Sequence, residues 1–133
     1  AQGPAPTVYL AGEMDLDWIM LALEHAVWVF GGERVSSNII FGLGESDEDL
    51  LKGVDRLAAM GIVATLRPLR LNDINRPSLE GVLGPLEPVT PERIIHLARE
   101  SKRILANYGL SPTSYQTMCH LCRCCDIVPF ADI

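Results

Sequence analysis

The sequence predicts an α/β protein whose two parallel strands form part of a (β/α) TIM-type barrel. An apolar run over residues 35–41 ends at Gly42, and a helical pattern begins a few residues later. A second apolar run covers residues 62–71. A strand, a helix and a strand in this order make a βαβ unit, in which the two strands are parallel and the crossover is right-handed. The first run further predicts a strand buried on both faces.

The first two helices are predicted from capping residues and apolar spacing. Asp15 is a good N-cap, and Gly31 ends the pattern that follows it. The apolar face of this helix comprises Ile19, Leu23, Ala26, Val27 and Phe30. Ser46 caps the second helix, which ends before Gly61. Its predicted buried face comprises Leu50, Val54, Leu57 and Ala58.

A third helix is predicted from Thr90, with Pro91 at its first position, to Gly109. Its predicted inner face comprises Ile94, Leu97, Ala98, Ser101, Ile104, Leu105 and Tyr108. The connection over residues 72–89 contains three prolines and little periodicity, so we expect it to be irregular. A connection of that length inside a compact domain is usually functional or mobile.

Composition limits the classes of function. Of the 133 residues, 48% are hydrophobic and 21% charged, which is typical of a globular chain. The net charge of −6 argues against nucleic acid and against an anionic membrane surface as the main partner. No apolar run approaches the roughly 20 residues of a membrane-spanning helix.

Two strands are too few for a stable parallel sheet, because each strand keeps an unpaired edge. We therefore expect the chain to pair with the remainder of a barrel or to self-associate. The predicted organisation is a loop or tail over residues 1–14, a partial barrel over residues 15–110 and a cysteine-rich segment over residues 111–133. The beginning of the chain lacks an initiator Met, so we expect the chain to come from the middle of a longer protein.

The end of the first strand carries the pattern Ile40-x-Gly42-x-x-Glu45. Gly42 and Gly44 are expected to let a ligand approach the backbone, and Glu45 to accept hydrogen bonds from the backbone or from a ligand. The pattern resembles the fifth-strand motif of radical S-adenosylmethionine (SAM) enzymes, in their biotin-synthase-like branch. The similarity covers roughly residues 13–90. Where that family often has Gly, this chain has Asn38.

The resemblance implies a radical SAM barrel in which the strand lies against the adenine of SAM. It assigns SAM contacts to Asn38, Ile40, Gly42, Gly44 and Glu45. The implied enzyme uses an electron donor and an iron–sulfur cluster to cleave SAM and abstract hydrogen from a small organic substrate. The family's cluster motif, Cys-x-x-x-Cys-x-x-Cys, does not occur in this sequence, so this chain alone is not expected to cleave SAM.

Arg67 and Arg70 flank Pro68 near the end of the second strand. Either arginine can bind a carboxylate of SAM or of a substrate. Since they are three residues apart, at most one of them faces a barrel interior. A surface charge, or an ion pair with the acidic second helix, explains each arginine equally well.

All four cysteines fall within seven residues, at Cys119, Cys122, Cys124 and Cys125. Clustered thiols indicate metal or redox chemistry in a reducing, cytoplasmic compartment rather than a disulfide framework. Cys119, Cys122 and Cys125 have the spacing of iron–sulfur ligands, and zinc fits them too. Cys124 or His120 is the candidate fourth ligand.

Two functions therefore stay open. The first is the C-terminal part of a radical SAM enzyme. The second is a small metal-binding interaction module, with zinc or iron–sulfur at the cysteines and no catalysis. The sequence does not name a substrate.

Overall fold

The computed structural model describes residues 16–111 as a mixed α/β structure with a two-stranded parallel sheet, which confirms the predicted class. The elements are α1 Leu16–Phe30, β1 Val35–Phe41, α2 Asp47–Ala59, β2 Ile62–Pro68, α3 Asn75–Leu83 and α4 Pro91–Asn107. The predicted N-terminal tail and the cysteine-rich segment lie outside the described residues.

The two strands pair in register from Val35 opposite Ile62 to Phe41 opposite Pro68. The second strand is shorter than the predicted 62–71 because β1 ends at Phe41, which pairs with Pro68, and offers no partner beyond it. One further bond follows, in which the Leu69 N–H donates to the Phe41 carbonyl at 2.8 Å. Both strands therefore end at the same level, and their chains turn away together.

Helices α2 and α4 cover one face of the sheet. The Ser46 hydroxyl accepts from the Asp49 N–H at 3.1 Å and caps α2, as predicted. All four residues of the predicted face of α2 are buried. Phe41 and Leu50 pack with Leu97 of α4, and Ile39 and Leu66 of the sheet pack against them. The hydrophobic effect thus fixes both helices on the side of the sheet that carries these residues.

The expected burial of β1 on both faces is wrong. Alternate side chains of a strand point to opposite faces, and near the carboxyl ends only the face under α2 and α4 is covered. On the other face Asn38 is exposed and Ile40 keeps 44% of its surface. Among residues 16–111 the sheet has only these two strands, so no further strand pairs with β1.

Helix α1 packs more loosely than its pattern predicts. Leu23, Ala26 and Val27 pack against the cluster around Val35 and Ile62, but no residue of α1 is fully buried. Phe30, predicted on the inner face, is 63% exposed because no described element covers the last turn of α1. No helix within residues 16–111 has the length and apolar content to cross a membrane.

The connection over residues 72–89 contains a helix, α3, which corrects the expectation of an irregular segment. The Asn72 side-chain oxygen accepts from the N–H groups of Ile74 and Asn75 at 2.8 Å. Asn75 in turn accepts from the Asn72 N–H at 2.9 Å. This reciprocal capping starts the helix, and Pro77 is tolerated because it falls in the first turn.

Helix α4 is capped by Thr90, as predicted, and buries Leu97, Ala98, Ser101 and Leu105. Tyr108, predicted on the inner face, is instead exposed at its end. Its hydroxyl donates to Asp55 of α2 at 2.9 Å. That hydrogen bond, with smaller contributions from desolvation and the Asp55 charge, raises the pKa of Tyr108 above its ordinary value.

Ser101 is fully buried, and its hydroxyl has no hydrogen-bond partner among the described residues. A buried hydroxyl without a partner loses its hydration and gains nothing in return. We predict that Ser101→Ala raises the free energy of unfolding by about 1 kcal/mol. Urea denaturation measures this change, and Ala98→Ser, which adds a hydroxyl to the same face, is expected to destabilise. Equal or lower stability of Ser101→Ala contradicts the prediction.

Candidate functional site

The candidate site lies at the carboxyl ends of β1 and β2, where α/β folds usually bind ligands. It has two parts, both close to the pattern Ile40-x-Gly42-x-x-Glu45. One part is the turn of residues 42–46 that joins β1 to α2. The other part, called here the open face, consists of Asn38, Ile40, Thr65 and Arg67. Register places the open-face residues of the two strands opposite each other.

The turn is organised by the side chain of Glu45. One carboxylate oxygen accepts from the Gly42 N–H at 2.6 Å, and the other accepts from the Leu43 N–H at 2.8 Å. Only 6% of the Glu45 side chain is exposed. The sequence allowed Glu45 to accept hydrogen bonds from the backbone or from a ligand, and the structure shows bonds from the backbone. The Glu45 carboxylate therefore fixes the conformation of the turn.

Arg93, in the first turn of α4, supplies the positive charge for this buried carboxylate. Its Nη2 lies 3.2 Å from the Glu45 side-chain oxygen and donates to the Glu45 carbonyl at 3.2 Å. Its Nε donates to Asp47 at 2.7 Å. The guanidinium carbon also lies 5.4 Å from the centre of the Phe41 ring, within the range of a cation–π contact. One arginine therefore connects the end of β1, the turn and the start of α2.

Sequence reasoning missed Arg93 because 48 residues separate it from Glu45. One signal was present. A carboxylate next to buried apolar residues needs a cation, and Arg93 is the first basic residue of the helix predicted to begin at Thr90. The sequence offers other arginines for the same task, so that signal alone does not select Arg93.

The two glycines of the turn differ in what surrounds them. Gly42 has φ +100°, and a Cβ atom added there would lie 2.6 Å from the Val89 side chain. The protein's own Val89, rather than a ligand, thus approaches the backbone at Gly42. Gly44 has φ +102°, is exposed, and has open space where its Cβ would lie. A ligand can approach the turn at Gly44.

The open face combines polar and apolar groups. Arg67 Nε donates to the Asn38 side-chain oxygen at 3.2 Å, which joins the two strands across this face. Ile40 is opposite Arg67 in the register and adds an apolar surface. An exposed aliphatic side chain beside an amide and a guanidinium suits a flat ring with polar edges.

The predicted site residues therefore divide into two sets. Asn38, Ile40 and Arg67 come together on the open face, whereas Gly42 and Glu45 are engaged within the turn. Arg70 is exposed, and its carbonyl accepts from the Asn75 side chain at 2.9 Å. The four cysteines and His120 lie outside the described residues.

An open groove of about 550 Å³ lies between α2 and α4. Its charged groups already have partners: Lys52 pairs with Glu48 at 3.2 Å, and Asp55 accepts from Tyr108. Within residues 16–111 no group of three or more His, Cys, Asp or Glu side chains is placed to hold a metal ion. The open face is the better candidate for ligand binding, because it lies at the carboxyl ends of both strands.

Comparison with protein-family models, with curated proteins and with solved structures finds no match for this chain. The similarity to radical SAM enzymes rests on the motif residues and stays a prediction.

The different surroundings of the two glycines lead to a stability prediction. Gly42→Ala adds both positive-φ strain and a contact with the stiff, β-branched Val89, whereas Gly44→Ala adds only the strain. We expect about 1 kcal/mol of destabilisation for Gly44→Ala and 1–3 kcal/mol more, on the order of an overpacked core, for Gly42→Ala. Denaturant titration of both variants measures the difference. Equal losses would show that Val89 does not limit the space at Gly42.

Proposed function

We propose that this chain is the C-terminal part of a radical SAM (β/α)-barrel enzyme, and that its open face binds the adenine of SAM. The observation that carries the proposal is the open face itself. It lies at the carboxyl ends of two parallel strands, directly before the motif turn. It presents Asn38, Ile40 and Arg67 together.

The placement of the helices supports a barrel. In a (β/α) barrel the helices lie outside, and the strands present alternate side chains to the interior. Here α2 and α4 cover one face of the sheet, and the exposed side chains of β1 lie on the other face. In the proposed barrel that second face points to the interior, where the ligand binds.

The chemistry of the open face supports a neutral purine ring as the ligand. Ile40 supplies apolar contact for the ring, and the Asn38 amide both donates and accepts hydrogen bonds. Arg67 provides donors for ring nitrogens or for the carboxylate of SAM. Gly44 leaves room for the ligand at the edge of the turn.

The proposal assigns the other parts of the enzyme to polypeptide outside this chain. An iron–sulfur cluster held by the remainder of the barrel would supply the electron for SAM cleavage, since this sequence lacks the family's three-cysteine motif. The residues of this chain bind and orient the adenine. The partner of this chain is the remainder of the barrel or, as an alternative, a second copy. An electron donor, a small-molecule substrate and a cytoplasmic location complete the proposal.

Binding of the neutral ligand 5′-deoxyadenosine tests the proposal on the full chain. We expect weak, saturable NMR shifts at the Ile40 and Gly44 amides, because both lie beside the proposed ring position. Ile40→Ala should weaken binding roughly tenfold through lost apolar contact. Ile74→Ala is the matched control, since Ile74 directly precedes α3 and is 88% exposed. Shifts that do not saturate, or that survive Ile40→Ala unchanged, would remove the adenine assignment.

The second candidate function, a metal-binding module without catalysis, is favoured by one observation: four thiols occur within seven residues. Thiolates bind both zinc and iron–sulfur clusters, and Cys119, Cys122 and Cys125 are the proposed ligands. Either metal is compatible with an auxiliary site in the enzyme as well.

We predict about one metal centre per chain in protein prepared without oxygen. An iron–sulfur cluster gives a brown protein with visible charge-transfer absorption, whereas zinc gives a colourless one. Metal analysis and thiol titration distinguish them. Cys119→Ser should remove the metal, because it removes one of the three proposed ligands. Four freely titratable thiols with neither metal present would exclude a metal centre at these cysteines.

A further inference from the structure

In the turn after β1, the backbone N–H groups that could bind an anion already donate to a side chain of the turn itself. Free backbone N–H groups between a strand and a helix commonly hold phosphates or carboxylates. Here the N–H groups of Gly42 and Leu43 both donate to Glu45. The carboxylate of Glu45 therefore occupies the position of an external anion.

Arg93 stabilises the buried carboxylate of Glu45. A carboxylate that is only 6% exposed is costly unless it is paired and hydrogen-bonded. Arg93 contacts the Glu45 carboxylate, the Glu45 carbonyl and Asp47 through its planar, forked guanidinium. Lys has one ammonium group and does not reproduce these three directions at once.

The backbone of Arg93 is fixed independently of the turn. Its N–H donates to the Thr90 hydroxyl at 3.2 Å, within the cap that starts α4. Its guanidinium also lies over the ring of Phe41, which is fully buried. Arg93 is thus fixed at its backbone and at its guanidinium. The turn is therefore held in place relative to α4.

We propose that Arg93 is the positioning residue of the β1–α2 turn: it fixes Glu45, and Glu45 closes the Gly42 and Leu43 amides to anionic ligands. The turn consequently selects a neutral ring, presented to the open face and Gly44, over a phosphate-bearing ligand. This selectivity rests on the proposed adenine site. The closure of the amides is a property of the chain without any ligand.

Amide proton shifts of Gly42 and Leu43 report the closure directly, because a hydrogen bond to a carboxylate moves them downfield. Arg93→Met is expected to move both upfield, as Glu45 loses its partner, and Arg93→Lys is expected to restore part of the shift. Arg103→Met is the matched control on the same helix, since Arg103 pairs with Glu100 at 3.0 Å on the surface. Unchanged Gly42 and Leu43 shifts in Arg93→Met would overturn the proposal.

Stability provides a second readout. The losses of folding stability caused by Glu45→Ala and Arg93→Met should not add. The folding equilibrium constant of the double variant should be roughly tenfold larger than the two single losses together predict. Additive losses would overturn the pairing. If Arg93→Met does not fold, the amide shifts of Arg93→Lys and Glu45→Gln decide the question instead.

Inorganic phosphate tests the selectivity. We expect no saturable shift of the Gly42 and Leu43 amides in the unaltered chain, and a saturable one in Glu45→Ala, which exposes both donors. Phosphate binding at these amides in the unaltered chain, or none in Glu45→Ala, would overturn the selectivity. Failure of 5′-deoxyadenosine to bind would instead remove the adenine site, while the amide shifts would still decide the role of Arg93.

Discussion

The hydrogen bonds that Glu45 accepts from its own turn are the constraint on which the carboxyl ends of this sheet depend. Position 42 requires glycine, because the backbone has φ +100° there and Val89 leaves no room for a side chain. The turn then carries two amides that need acceptors in a region shielded from water. Glu45 supplies both acceptors, and Arg93 supplies the charge that makes a buried carboxylate tolerable. Glu45 and Arg93 together therefore connect β1, the turn, α2 and α4.

This constraint also explains the division of the site. The residues that hold the turn are no longer available to a ligand, so the proposed adenine contacts fall to the open face and to Gly44. The motif residues thereby have two tasks. Gly42 and Glu45 shape the end of β1, and Asn38 and Ile40 present the surface that the turn holds in place. Arg67 connects that surface to β2 through Asn38.

Much of the fold follows from local sequence signals. The caps at Ser46 and Thr90 and the buried face of α2 are short-range features, and the structure confirms them. The sequence did not reveal what depends on distant contacts. The exposed face of β1 and the exposed Phe30 reflect which elements cover them, and α3 begins with reciprocal Asn caps inside a proline-containing segment. Arg93 was missed for the same reason, since nothing local relates it to Glu45.

In the proposed enzyme, β1 and β2 belong to a larger barrel. Hydrogen exchange along β1 tests this assignment, because alternate residues of a parallel strand direct their N–H groups to opposite neighbours. We expect every second amide of Val35–Phe41 to exchange fast in the purified chain. In the native assembly isolated from cells, we expect all of these amides to be protected. An alternating pattern that is the same in both samples would rule out the barrel, because β1 would then lack a second neighbour in the assembly.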